Sequence, residues 1–199
     1  MEDVVPFASR DYCLMLLLIA FARSMDFLST WVATPNLVLE GNPIAKKLGW
    51  RWGILLNVVI CLGVACWPVS AIAISTTSVL VAARNFQSAW LMRSLGEEFY
   101  RDWHVAQLRA TSLPIYLLCL AGNTLLTAAV GGALMYFSGQ RWIPTSIGLG
   151  VVIYAVAVAF YTLLAVWRIR RTTFRHGRMK IAIANNPISP KMEHDAPVN

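Results

Sequence analysis

Long apolar runs are the feature of this sequence that most constrains its fold. Mostly apolar stretches of about 20 residues or more occur at 12–33, 52–73, 113–137 and 143–167. A helix of about that length crosses the hydrocarbon core of a bilayer. Only 14% of the residues are charged, against about 25% in a soluble domain, so the composition excludes an ordinary cytosolic enzyme. The sequence predicts an all-α, polytopic transmembrane helical bundle.

The stretch from 74 to 95 decides between five spans and four. As one helix, the largely apolar residues 52–83 would reach about 48 Å, which exceeds a core of about 30 Å. The polar cluster Ser75–Ser78 predicts a turn, followed by a third span at about 77–95. The alternative has four spans, with residues 84–112 as a surface segment.

The distribution of basic residues favours five spans with the N-terminus outside. That arrangement places 13 Lys and Arg residues on the cytoplasmic side, 2 outside and 2 within spans, whereas four spans give 12 inside and 4 outside. The basic residues from Arg168 onwards are suited to contact with anionic lipid. A nucleic-acid-binding protein would instead carry its basic residues on a folded, soluble face. We expect a prokaryotic inner (plasma) membrane, with the C-terminus in the cytoplasm.

The sequence also predicts the structure of the N-terminal segment, the C-terminal tail and the segment between the third and fourth spans. Residues 1–11 predict an extracytoplasmic N-terminal segment, 12–168 the transmembrane bundle and 169–199 a basic, mobile cytoplasmic tail. Between the third and fourth spans, apolar side chains recur every three or four residues, at Leu91, Leu95, Phe99, Trp103 and Ala106. This period predicts a cytoplasmic amphipathic helix at the membrane interface, bent at Gly96.

Ionisable residues within spans are functional candidates, because each costs roughly 2.5–3.5 kcal/mol on insertion scales. In the five-span arrangement they are Arg23, Asp26 and Arg84. Arg23 and Asp26 are three residues apart, so they can pair on one helix face. The alternative is that Asp26 pairs with Arg84 of the third span.

Further polar residues follow the first span and line the third. Glu40 and Asn42 belong to an interhelical loop, or they fold back towards Asp26 and Thr30 as the cytoplasmic end of a polar pocket. One face of the third span holds Arg84 and Gln87, which suit an anion, a lipid head group, a water-filled pocket or helix–helix hydrogen bonds. The candidates for the polar site are Arg23, Asp26, Thr30, Glu40, Asn42, Asn57, Arg84, Asn85, Gln87 and Arg93.

One short pattern carries a resemblance. Asp26-x3-Thr30, followed by Glu40-x-Asn42-Pro43, resembles the pattern of an uncharacterised family of small prokaryotic multi-pass membrane proteins. The resemblance covers about 18 residues. That family has no assigned activity, so the resemblance implies a small membrane protein with a defined polar site.

Familiar catalytic sets are missing from the sequence. No C-x-x-C pair, Walker A loop or H-E-x-x-H motif occurs, and all three histidines lie outside the predicted spans. We therefore expect no catalytic residue, no metal and no cofactor.

The favoured function is that of a non-catalytic membrane protein, either an accessory subunit of a membrane complex or a small binding module. We expect it to bind a protein partner or to form a homo-oligomer. The alternatives are a small transporter or channel for an ion or anionic solute, with Asp26, Arg84 and Asn123 along its route, and an enzyme acting on a lipid-linked substrate.

Overall fold

Six helices form the part of the chain that the computed structural model describes, which is residues 4–40, 43–139 and 141–185. They are α1 (Arg10–Ala33), α2 (Pro43–Val64), α3 (Pro68–Leu95), α4 (Glu97–Ala110), α5 (Leu113–Tyr136) and α6 (Trp142–Asn185). All except α4 contain a segment long and apolar enough to cross a membrane, at Lys46–Val64 in α2 and Trp142–Arg171 in α6. The five-span prediction is confirmed. The four-span alternative is wrong, because residues 84–95 belong to α3.

The turn between the second and third spans lies at 65–67, not at Ser75–Ser78 as predicted. Pro68 suits the first turn of α3, where its missing N–H is not needed. The Ser75 and Thr77 hydroxyls donate to backbone carbonyl oxygens one turn earlier, at 2.7 and 2.9 Å. These side chains are thus satisfied inside a continuous helix and require no turn. The second span accordingly begins near Lys46 and ends at Val64, earlier than the predicted 52–73.

The helices pack as an open row in the order α2, α1, α3, α6, α5. The central helix α3 packs against α1 on one side and α6 on the other, while α5 contacts α6 alone among the described helices. Glycines allow the close approaches, since a Cβ on Gly150 would lie 2.5 Å from the Ala73 carbonyl oxygen of α3. A Cβ on Gly131 of α5 would likewise lie 2.7 Å from the Gly148 carbonyl oxygen.

The two ends of the bundle differ. At the N-terminal end, the Val5 amide donates to the Cys66 carbonyl oxygen at 2.9 Å, which fixes the segment before α1 against the α2–α3 turn. At the other end, which we call the α4 end, Gly96 separates α3 from α4 with a φ of +81°. Glycine adopts this left-handed φ without strain. The stripe predicted on one bent helix therefore lies on two helices.

Helix α6 extends beyond its membrane-spanning segment. Its backbone is helical to Asn185, so the predicted mobile tail begins as a helix rather than as an irregular chain. Near the α4 end, Arg170 Nη2 donates to the Thr111 carbonyl oxygen at 3.3 Å and links α6 to the start of α5. The rest of the predicted tail, residues 186–199, lies outside the described residues.

Candidate functional site

Arg23 joins three helices through its guanidinium group. Its Nε donates to Asn57 Oδ1 of α2 at 2.7 Å, and its Nη2 donates to the same oxygen. Its Nη1 donates to Asp26 Oδ2 at 2.9 Å and to Ser78 Oγ of α3 at 3.1 Å. We call these residues the Arg23 cluster: Arg23, Asp26, Asn57 and Ser78. Their hydrogen bonds tie α1 to α2 and α3.

The Arg23 cluster lies near the middle of the spans. Arg23 is ten residues before the end of α1 at Ala33, or about 15 Å along the helix axis. Its side chain is 27% exposed and that of Asp26 is 17% exposed. At this depth an unpaired charge is costly, and pairing makes the arginine tolerable. Asn57 lies mid-span instead of near the start of the second span, because that span begins earlier than predicted.

Neighbouring groups fix the orientation of this cluster. The Asn57 Nδ2 donates to the Gly53 carbonyl oxygen at 2.7 Å, which turns Oδ1 towards the arginine. The Arg23 Cζ atom lies 5.9 Å from the centroid of the Phe27 ring, within the range of a cation–π contact. Asn57 and Phe27 therefore hold the guanidinium from two sides.

Polar contacts continue from the Arg23 cluster towards the α4 end. The Asn85 Nδ2 donates to Ser29 Oγ and to Thr30 Oγ1, each at 3.3 Å. Ser29 Oγ donates back to the Asp26 carbonyl oxygen at 2.8 Å. The α1–α3 interface thus has a polar column along one half of its length.

Glu40 comes close enough to this column for its charge to act on Asp26. The Glu40 amide donates to the Leu37 carbonyl oxygen at 3.4 Å, so its backbone belongs to the loop after α1. Asn42, the other loop residue among the polar-site candidates, lies outside the described residues. Asn57 therefore joins Arg23 and Asp26 in the Arg23 cluster, and Thr30 and Asn85 bond to each other farther towards the α4 end.

Glu97 anchors the loop that follows α1, a role that the sequence reasoning missed. Its Oε2 accepts from Thr34 Oγ1 at 2.8 Å and from the Val38 amide at 3.3 Å, and its Oε1 accepts from the Asn36 amide and Nδ2, each at 3.1 Å. Burial alone raises the pKa of the Glu97 carboxyl, but these hydrogen bonds outweigh it and hold the pKa below its usual 4.5. The available signal was an acidic residue directly after Gly96, where a helix N-terminus favours negative charge.

The substitution Glu97→Gln should loosen residues 34–40. A carboxylate accepts with both oxygens, whereas the amide turns an NH2 group towards donors, so we expect a loss of about 1.5–3 kcal/mol of local stability. Since the folded-state pKa is lowered, the anchoring is complete above pH 4.5 and is lost as the pH falls through the lowered value. Trp50 reports on this loop, because its Nε1 donates to the Pro35 carbonyl oxygen at 3.0 Å.

The measurement is fluorine NMR of 5-fluorotryptophan at position 50 over a pH titration. The matched control is Glu98→Gln, because Glu98 pairs with Arg101 at the exposed surface of α4. We expect a Trp50 signal that shifts with acid in the wild type and in the control, and that is already shifted at neutral pH in Glu97→Gln. An unchanged signal in Glu97→Gln would show that the carboxylate does not hold the loop.

Arg84, Gln87 and Arg93 do not join the Arg23 cluster, because all three residues are exposed and no described hydrogen bond or ion pair links them to it. Pairing of Asp26 with Arg84 is wrong, because Asp26 pairs with Arg23 on its own helix. The cause is the helical phase of α3. Arg84 is seven residues after Thr77, whose hydroxyl donates to the Gly150 carbonyl oxygen of α6 at 2.9 Å, so both lie on the face of α3 opposite to α1.

The chemistry available to the site follows from these contacts. Arg23 donates four hydrogen bonds within the bundle. Its guanidinium therefore serves to join helices more than to bind a ligand. Within the described ranges, no three His, Cys, Asp or Glu side chains converge as they would around a metal ion. The site is therefore a structural polar core with a carboxylate-anchored loop at its α4 end.

Comparison with protein-family models, with curated proteins and with solved structures finds no match to this chain.

Proposed function

We propose that this protein is a non-catalytic subunit of a membrane assembly and that it associates with a second copy of itself through the exposed face of α5. One observation carries the proposal: Asn123 is exposed in the membrane-spanning part of α5. Its position is ten residues after Leu113 and 13 before Tyr136, which is near the middle of the span.

The amide of Asn123 has no hydrogen-bond partner in another described side chain or backbone group of this chain. Hydrocarbon offers no partner either, so an amide facing lipid loses the hydrogen bonds that it makes in water. Asparagine side chains at this depth promote helix association, because a neighbouring helix supplies the missing donor and acceptor. Helix α5 has a face free for such a neighbour, since it packs on α6 alone among the described helices.

A second copy satisfies the amide particularly well. Two copies inserted in the same direction are related by an axis along the membrane normal, so Asn123 meets Asn123 at equal depth. Each amide has both a donor and an acceptor, and the pair is self-complementary. Gly122 beside it leaves open space, because nothing lies within 4 Å of a Cβ built there. A backbone can approach closely at such a position.

The transport and enzyme alternatives have less support in the geometry. The polar column occupies only the half of the α1–α3 interface between the Arg23 cluster and the α4 end. In the other half, the described buried residues are apolar, or they are hydroxyls such as that of Ser75, which bonds within its own helix. A continuous polar route across the membrane is therefore not formed by these described residues. Asp26 and Asn57 each accept hydrogen bonds from Arg23, so the cluster is engaged in contacts between helices. These contacts favour a structural role for the polar core.

The orientation is part of the same proposal. Arg168, Arg170 and Arg171 lie in the last four residues of the spanning segment Trp142–Arg171, and Arg170 bonds to Thr111 at the α4 end. Further basic residues follow them in the sequence. Under the positive-inside rule, these residues favour an orientation with the α4 end and the C-terminus in the cytoplasm. We propose a prokaryotic inner membrane as the location.

The test is energy transfer between donor- and acceptor-labelled copies in phosphatidylcholine vesicles over a range of protein-to-lipid ratios. We expect self-association in the wild type and a dimer weakened about tenfold in Asn123→Leu, corresponding to about 1.4 kcal/mol. The matched control is Thr124→Val, because the Thr124 hydroxyl bonds within its own helix, to the Leu120 carbonyl oxygen at 2.9 Å. The control should associate like the wild type.

Two results would overturn the proposal. A wild-type chain that stays monomeric at every ratio removes the second copy as partner. Equal association of Asn123→Leu and wild type removes α5 as the contact face.

A further inference from the structure

Arg84 is a charged residue on a membrane-spanning helix without an acidic partner. It is exposed, and no described carboxylate forms an ion pair with it, whereas Asp26 pairs with Arg23 and Glu98 pairs with Arg101. A guanidinium at this depth must find an anion or reach water, because hydrocarbon does not solvate it. The bundle supplies no such anion in its described part.

The position of Arg84 along α3 brings it within reach of one membrane surface. Helix α3 has 28 residues and is about 42 Å long, so about 6 Å at each end lies beyond a centred hydrocarbon core of about 30 Å. Arg84 is 11 residues, or about 16 Å, from the α4 end of the helix, which places its Cα about 10 Å inside the core. An arginine side chain that extends towards the surface covers most of that distance, and local thinning of the bilayer covers the rest.

Two other side chains near Arg84, an amide and a phenol, can donate hydrogen bonds. Gln87 is one helical turn closer to the α4 end and is exposed. Tyr116 of α5 is close enough for the Arg84 charge to act on its hydroxyl group. A guanidinium, an amide and a phenol form a donor-rich set without a negative charge, which suits an anionic oxygen group.

We propose that Arg84, with Gln87 and Tyr116, binds the phosphate group of a phospholipid in the leaflet at the α4 end. A lipid phosphate fits because it lies at the membrane surface nearer to Arg84 along α3, and its oxygens accept the bidentate hydrogen bonds that a guanidinium donates.

The test measures lipid retained by delipidated protein in detergent, using native mass spectrometry. The probe is phosphatidylglycerol, and diacylglycerol is the matched lipid without a phosphate. We expect phosphatidylglycerol to bind the wild type, at least about tenfold weaker binding to Arg84→Gln, and intermediate binding to Arg84→Lys and Tyr116→Phe. Arg93→Gln, which removes another exposed arginine of the same helix, should bind like the wild type.

The other outcomes decide against the proposal. Equal phosphatidylglycerol binding by Arg84→Gln and wild type excludes Arg84 as the anion site. Binding of diacylglycerol at the same level shows that the contact is with the acyl chains. Displacement of the lipid by millimolar inorganic phosphate assigns the site to free phosphate and overturns the lipid assignment. If Arg84→Gln does not fold, Tyr116→Phe and Arg84→Lys carry the test, and unchanged binding in both contradicts the proposal.

Discussion

Replacing Arg23 with glutamine should lower the free energy of unfolding by about 3 kcal/mol, the lower end of the range for breaking a buried ion pair, because both partners are partly exposed. The substitution removes the bonds that tie Asn57 and Ser78 to α1. It also leaves the Asp26 carboxylate at mid-depth without its counter-charge. The measurement is equilibrium unfolding in mixed micelles, followed by tryptophan fluorescence.

The double variant Arg23→Gln with Asp26→Asn separates two explanations of that loss. If the stranded carboxylate causes most of it, removing the charge of Asp26 restores about 1–3 kcal/mol, which a double-mutant cycle measures as coupling. The control is Arg93→Gln, whose exposed side chain makes no described ion pair, and a change within about 0.5 kcal/mol is expected. Equal destabilisation by Arg23→Gln and Arg93→Gln would contradict the structural role of Arg23.

The second large effect is expected at Gly150. A Cβ there would lie 2.5 Å from the Ala73 carbonyl oxygen and 2.7 Å from Thr76 Cβ, so Gly150→Ala forces α3 and α6 apart. The same shift weakens the hydrogen bond from Thr77 to the Gly150 carbonyl oxygen. Overpacking of this kind costs about 1–3 kcal/mol, and unfolding in mixed micelles measures it.

Gly132 provides the control for this prediction. Nothing lies within 4 Å of a Cβ built at Gly132, so Gly132→Ala should leave the stability unchanged or raise it slightly. A loss in Gly132→Ala as large as that in Gly150→Ala would show that the effect comes from the helix backbone and not from the α3–α6 contact.

The sequence was sufficient for the spans because length and hydropathy determine which segments can cross a bilayer. The sequence predicted the turn between the second and third spans at the wrong place, because serine and threonine are common in turns. In the structure, the Ser75 and Thr77 hydroxyls donate to carbonyl oxygens four residues earlier in α3. Proline at position 68 was the better signal, since it begins a helix readily.

The sequence alone did not determine which residues from other parts of the chain contact Arg23 and Glu97. The pairing of Arg23 with Asp26 follows from their spacing, but the contacts with Asn57 and Ser78 depend on the rotation of α2 and α3, which no local pattern determines. The anchoring role of Glu97 could not be predicted for the same reason. Its partners are 59 to 63 residues away in the chain.

The most direct test of the account is the distance between the Arg23 guanidinium and the Asp26 carboxylate in a bilayer. Rotational-echo double-resonance NMR on protein with ¹⁵N-arginine and ¹³C-aspartate measures it, and Asp102→Asn removes the exposed contact with Arg101. We expect a short nitrogen–carbon contact that persists in Arg84→Lys and disappears in Arg23→Lys. A contact that disappears in Arg84→Lys and persists in Arg23→Lys would contradict the pairing of Arg23 with Asp26.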